Sequence, residues 1–174
     1  MLDAFATALA PYYLHIKFIH LLAVAAWLFS TSVAYTNYLV PILRAWQRNP
    51  DEAELVRLRN WAMERFDDGA KIEHVAFPVI LVTGPLLMLA AGWSPLHGWF
   101  ALKLVLVVMV FVPIEVIDYY LAHFGGNKEQ LRLAGDAAGY ENAMHVHWWF
   151  LVITTPIVAI SIPFTIYLAV VKPF

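Results

Sequence analysis

The residues able to do chemistry in this sequence lie in or beside strongly apolar runs. Near the start, Tyr13-Leu-His-Ile-Lys-Phe-Ile-His-Leu-Leu-Ala-Val-Ala-Ala-Trp27 carries His15, Lys17 and His20. A polar side chain at membrane depth is costly unless something binds it, so His20 either bonds a neighbouring helix or ligates a metal. Steps of three and four put His20, Ala23, Val24, Trp27, Ser30, Thr31 and Ala34 on one helical face. Small residues beside an imidazole leave room for a flat macrocycle, or for a close-packed helix. At 1.5 Å per residue, His20 falls ~12 Å below the Tyr12 end of its helix, Lys103 ~6 Å below the Trp99 end of another, and Met88 ~7 Å from Trp93. These three can share one layer. Met88 is a thioether ligand or packing, and Lys103 faces a cofactor carboxylate or snorkels to the surface.

A second polar layer holds His74, His145, His147, Glu115 and Asp118. His147 shares a face with Thr154, Ser161 and Thr165, whereas His145, two residues earlier, points nearly the opposite way. His74 and His147 are therefore the candidate pair for a second haem or metal, as facing histidines hold b-type haem in four-helix bundles. The same groups can instead be solvated helix ends or proton-handling residues.

The elements that must position these residues follow from composition. The 174 residues are 61% hydrophobic and 14% charged, with a mean hydropathy of +0.67, which are the values of an integral membrane protein. The absence of cysteine excludes disulfides, iron–sulfur clusters, thiolate zinc sites and covalently attached c-type haem. No basic patch points to nucleic acid. The first apolar run lacks the basic leader and small-residue cleavage site of a signal peptide and is expected to stay in the membrane.

The expected fold is all-α, a single transmembrane domain over 1–174 in which four helices cross the bilayer at about 12–38, 74–93, 99–122 and 146–171. Tyr12, Tyr13, Tyr35, Tyr38, Trp93, Trp99, Tyr119, Tyr120, Trp148 and Trp149 mark the interfaces. Arg44, Arg48, Arg57, Arg59, Arg65 and Lys71, then Lys128 and Arg132, place both long connections in the cytoplasm and both termini outside. Within the first connection, Asn49-Pro50-Asp51-Glu52 reads as a helix start. Leu55, Leu58, Ala62 and Phe66 follow at amphipathic spacing, as in a separate cytoplasmic helix lying along the inner surface. In the second, Gly125-Gly126 reads as a helix stop, Asn127 as a cap and Lys128–Leu133 as a short helix, with Gly135 and Gly139 beyond. The short connection near Gly92–Gly98 makes helices 2 and 3 antiparallel neighbours. A kink is expected at Pro113, and distortions at Gly84-Pro85, Pro156 and Pro163.

Several stretches together resemble the HemJ-type protoporphyrinogen oxidases and related four-helix haem membrane proteins. They are Lys17-Phe-Ile-His20 with Trp27, Met63-Glu64-Arg65 leading to Pro78 and Gly84, Gly98-Trp99-Phe-Ala-Leu-Lys103-Leu-Val-Leu-Val, and Val170-Val-Lys-Pro-Phe174. The resemblance implies haem ligation by His20, a functional role for Lys103, and oxidation of protoporphyrinogen IX with electrons leaving through haem, quinone being the expected acceptor. Two stretches depart from that pattern. Asp118-Tyr119-Tyr120 stands where a Tyr-His pair is usual, and Met144-His-Val-His147-Trp-Trp where an Asn-Glu-x-Pro stretch enters the last helix. Both fall at the inner side and point to a sister family with its own electron-transfer role.

The expectation is thus an inner-membrane oxidoreductase with one haem b at His20 and Lys103, and a second at His74 and His147 as the alternative. Lys103 is the candidate catalytic residue. His20, Lys103, His74, His147 and Met88 are candidate cofactor residues, the three histidines among them candidate iron ligands. Lipid, a quinone or respiratory-chain acceptor, a porphyrin-type substrate and a homo-oligomeric contact are the candidate partners. The competing readings are a non-enzymatic di-haem cytochrome and a copper-handling protein of the CopD type, which lacks the dense Met or His tracts it would need.

Overall fold

A computed structural model describes residues 2–96, 98–125 and 127–173, with side chains from residue 5 onward. Among the described residues every regular element is helical: α1 (Leu2–Leu9), α2 (Tyr13–Ala34), α3 (Val40–Arg48), α4 (Ala53–Ala90), α5 (Gly98–Leu106), α6 (Val112–His123), α7 (Lys128–Leu133) and α8 (Ala137–Val171). Four helical stretches are long and apolar enough to cross a membrane: Phe5–Arg48, Ala53–Ala90, Gly98–Leu133 and Ala137–Val171. Phe18, Phe29, Val75 and Ile160 are 67–75% exposed on their sides. Large apolar side chains turned outward on every face suit lipid as the surrounding medium.

Two joints inside these stretches share one cause. Pro41 sits at the start of α3 and Pro113 at the start of α6, and each follows a π-helical turn, Tyr35–Leu39 and Val107–Phe111. A proline ring clashes with the carbonyl four residues before it, and widening that turn moves the carbonyl aside. The kink expected at Pro113 is thus a widened turn just ahead of it. Pro78 and Pro85 inside α4, and Pro156 and Pro163 inside α8, do not end their helices.

The separate surface helix expected in the first connection is not a separate element. Asn49 instead closes α3, its N–H donating to Ala45 O and Trp46 O, and α4 starts at Ala53 with Glu52 before it. From Ala53 no proline interrupts the helix before Pro78, so the amphipathic stretch runs straight into the second of the long apolar helices. Gly69, the one weak point, lies where a Cβ would meet Ser30 O at 3.7 Å, and α2 and α4 pack closely there. The second connection matches its expectation. Asn127 caps α7 by accepting from Gln130 N–H at 3.0 Å, and Gly135 takes the positive φ of 72° needed to turn into α8. Asp136 caps α8 by accepting from Gly139 N–H at 2.9 Å, so the last helix starts nine residues before the expected 146. Gly126, His97 and Phe174, which the expected stop, short connection and C-terminal motif include, lie outside the described residues.

The core divides into two apolar plugs. At the end bearing both long connections, here the basic end, Leu39, Leu43, Ala62, Met63, Phe66, Tyr140, Met144, Trp148 and Leu151 pack together. At the opposite end Trp99, Phe100 and Leu168 form the second, with Met88 and Trp93 against it. His20, Thr83, Glu73, Glu115, His74 and Asp118 lie between the plugs.

Candidate functional site

Nearest the second plug, His20 Nδ1 lies 2.8 Å from Thr83 Oγ1. The Thr83 hydroxyl donates its proton to Val79 O at 2.6 Å, so it can only accept from the imidazole. That places the His20 proton on Nδ1 and leaves Nε2 with a bare lone pair and no hydrogen-bond partner among the described residues. Lys103 of α5 is the charged neighbour of this ring. Its ammonium is half-buried and, among the described residues, has neither an ion pair nor a hydrogen bond. One potential ligand atom and one cation, neither with a hydrogen-bond or ion-pair partner among the described residues, are thus electrostatic neighbours. This donor set fits a haem held through iron at His20 and through an acid group at Lys103, since a ligating histidine is normally oriented by a bond from its other nitrogen.

Midway along the bundle, Trp27 Nε1–H donates to Glu115 Oε1 at 2.6 Å, with its ring between Phe77 and Phe111 at centroid distances of 5.6 and 5.4 Å. Ser30 and Thr31, on the same face of α2, both donate to Glu73 Oε2 of α4. Glu73 and Glu115 are themselves neighbours, and the buried Oε2 of Glu115 has no hydrogen-bond partner. The face that runs from His20 through Trp27, Ser30 and Thr31 is thus turned onto α4 and α6, as its periodicity predicts.

Toward the basic end, the second polar layer is one connected network. Lys128 Nζ, fully buried, donates to Asp67 Oδ2 at 2.8 Å and to His147 Nδ1 at 2.7 Å. An ammonium only donates, so His147 carries its proton on Nε2 and gives it to Asp118 Oδ1 at 3.0 Å. His74 Nε2 donates to the other oxygen, Asp118 Oδ2, at 3.1 Å, and His74 Nδ1 accepts from His123 Nε2 at 2.9 Å. Asp67 and His123 both open onto a cavity of about 440 Å³ at the basic end, whose walls also include Arg57, Glu64, Asp68 and Arg132. Two acids of that wall are paired, Glu64 with Arg132 at 2.8 Å and Asp68 with Lys71 at 2.6 Å.

Of the residues singled out from sequence, the structure makes Lys103 the charged neighbour of His20 and joins His74 to His147 through Asp118. It does not bring Met88 to His20: Thr83 occupies that level, and Met88 packs on the Trp99, Phe100 and Leu168 plug. His145 is exposed, its ring against Trp149 at 6.3 Å. His74 and His147 do not flank an open slot. The Asp118 carboxylate sits between them, and each ring has both nitrogens engaged, an arrangement that does not fit a second haem. Among the described residues no group of three or more His, Asp or Glu is placed to hold a metal ion.

Thr83, Glu73, Asp67, His123 and Lys128 are site residues that the sequence reading did not single out. Asp67 and His74 are seven residues apart, two helical turns on one face, a signal that required reading α4 as continuous. Lys128, in a polar connection between glycines, carries no such signal. No protein-family model, no curated protein and no solved structure matches this chain.

Proposed function

We propose that the chain is a multi-pass protein of the cell inner membrane that holds one haem b at His20 and works as an oxidoreductase on a porphyrinogen-type substrate. The single observation behind this is that His20 is held by Thr83 with its Nε2 free of a hydrogen-bond partner among the described residues, and that Lys103 is its charged neighbour. Haem, when bound, supplies one-electron redox chemistry. Every other task falls to the chain. Thr83 holds the His20 ring with Nε2 presented. Lys103 neutralises an acid group of the macrocycle as a cation, or accepts a proton from the substrate when neutral, which makes it the catalytic candidate. Trp99, Phe100 and Leu168 seal the layer from water on the side of the chain ends. Hydrogens removed from the substrate leave as electrons to a quinone or respiratory-chain acceptor and as protons through the protein. The excess of arginine at the basic end supports a cytoplasmic location for that end, with both termini outside.

A relay between two haems would require free ring nitrogens on His74 and His147, and both rings are fully bonded. The deciding experiment is a reduced-minus-oxidised spectrum of the purified protein with haem quantified per chain, repeated on His20→Ala. One haem per chain, lost in the variant, is expected, together with rescue of cells lacking their own protoporphyrinogen oxidase. Haem-free wild-type protein, or full haem retention in His20→Ala, overturns the proposal.

A further inference from the structure

The polar network beneath His20 has a direction. His147, His74 and His123 are each protonated on Nε2 by the bonds they make, and along the His123–His74 arm the Nε2–H of one ring points at the acceptor of the next group. His123 Nε2–H faces His74 Nδ1 at 2.9 Å, and His74 Nε2–H faces Asp118 Oδ2 at 3.1 Å. A proton taken up on His123 Nδ1 can therefore be matched by release from Nε2 to His74, and then from His74 Nε2 to Asp118, each ring gaining one proton and losing one. His123 lines the 440 Å³ cavity at the basic end, which is the source of that proton. The parallel arm cannot carry the same traffic. It runs through Lys128, whose ammonium is locked between Asp67 and His147 and has no acceptor site while protonated. That arm instead clamps His147, and through it the orientation of Asp118.

Past Asp118 the next acid is Glu115, three residues earlier and one turn deeper on α6, beside Glu73. The donors given to this carboxyl pair are the neutral groups of Trp27, Ser30 and Thr31. Its flank toward the basic end holds His74 and Asp118, and Glu115 Oε2 is buried without a partner. A proton on that oxygen, or shared between the two acids, satisfies it.

We propose that His123, His74 and Asp118 form a proton path from the cavity at the basic end to the Glu73/Glu115 pair in the middle of the bundle. The path serves whatever reaction occurs in the His20 layer, and it does not depend on haem being the group bound there.

The test uses the full chain in lipid nanodiscs and infrared spectroscopy without any haem readout. Glu115→Gln and Glu73→Gln identify the C=O stretch of the protonated pair. On transfer to D2O the wild-type band is expected to shift within the mixing time. In His123→Ala the same band should persist but exchange at least tenfold more slowly, and added imidazole, which the cavity can admit, should restore the fast rate. His145→Ala, off the path and exposed, should exchange like wild type. The proposal is overturned if neither Glu variant removes a carboxyl band, if the wild-type band does not exchange, or if His123→Ala exchanges at the wild-type rate. Slow exchange in His123→Ala that imidazole fails to restore also overturns it, because it assigns His123 a purely structural role.

Discussion

Lys128→Met is the substitution whose cost the structure defines best. The Lys128 side chain is 0% exposed and that of Asp67 11%, and their 2.8 Å bond joins α7 to α4 across 61 residues of sequence. Met matches the length of lysine and fills its place, so little packing is lost. What remains is an Asp67 carboxylate buried without its cation, with Oδ1 already lacking a hydrogen bond and only His147 Nδ1 at 3.4 Å. Removing one partner of a buried pair costs about 3–5 kcal/mol. For a chain of this size that corresponds to a fall of ~6–20 °C in Tm. Thermal unfolding in detergent, followed by tryptophan fluorescence, measures it. Asp67→Asn in the same chain removes the stranded charge, so the double variant should recover most of the loss, and the two single losses should be far from additive. A Lys128→Met loss under about 1 kcal/mol, or losses that simply add, would refute the view that this pair is what fixes α7 to the bundle. The exposed Glu54–Arg57 pair is the control, since screening leaves such pairs little to contribute.

Thr83→Val keeps the shape of the side chain but removes the acceptor that orients His20. Haem affinity should fall roughly 10–100-fold by titration, the usual cost of losing such an orienting bond, while the fold survives. Trp27→Phe preserves the ring contacts with Phe77 and Phe111 and strips Glu115 Oε1 of its donor. A stability loss of about 1–3 kcal/mol in a thermal melt is expected, largely reversed when Glu115→Leu is added.

Length and hydropathy alone carry the four long apolar helices, because a run of apolar residues of that length has few alternatives. The His20 face of α2 was legible for a similar reason: Trp27, Ser30 and Thr31 fall at helical spacing, and each finds its acid partner on that face. The helix joint at residues 49–52 was misread because Asn49-Pro50 satisfies the rules for a helix start as well as those for a stop. Lys128 was hidden by its surroundings. A lysine in a polar connection reads as solvated, and its burial depends on Asp67 and His147, which no local pattern links to it. Asp118 and His147 lie in stretches that no local pattern links, and they are bonded to each other at 3.0 Å across two helices.

The widened turn at Val107–Phe111 does more than make room for Pro113. In an unbroken α-helix the twelve steps from Lys103 to Glu115 would leave the two side chains about 120° apart around the axis. A π turn absorbs one residue without the matching rotation, and that brings the difference down to roughly 20°. Lys103 can therefore stand by His20 while Glu115 meets Trp27, both against the same helix. The turn acts as a phase adjuster between the ligand layer and the acid layer. Closing it to regular α-helix with every residue kept would leave hydropathy and span length untouched, yet would turn Glu115 and Asp118 by about 100° away from Trp27 and His147. In this bundle the register of the third membrane segment, as much as the identity of its acids, decides whether the two layers face each other.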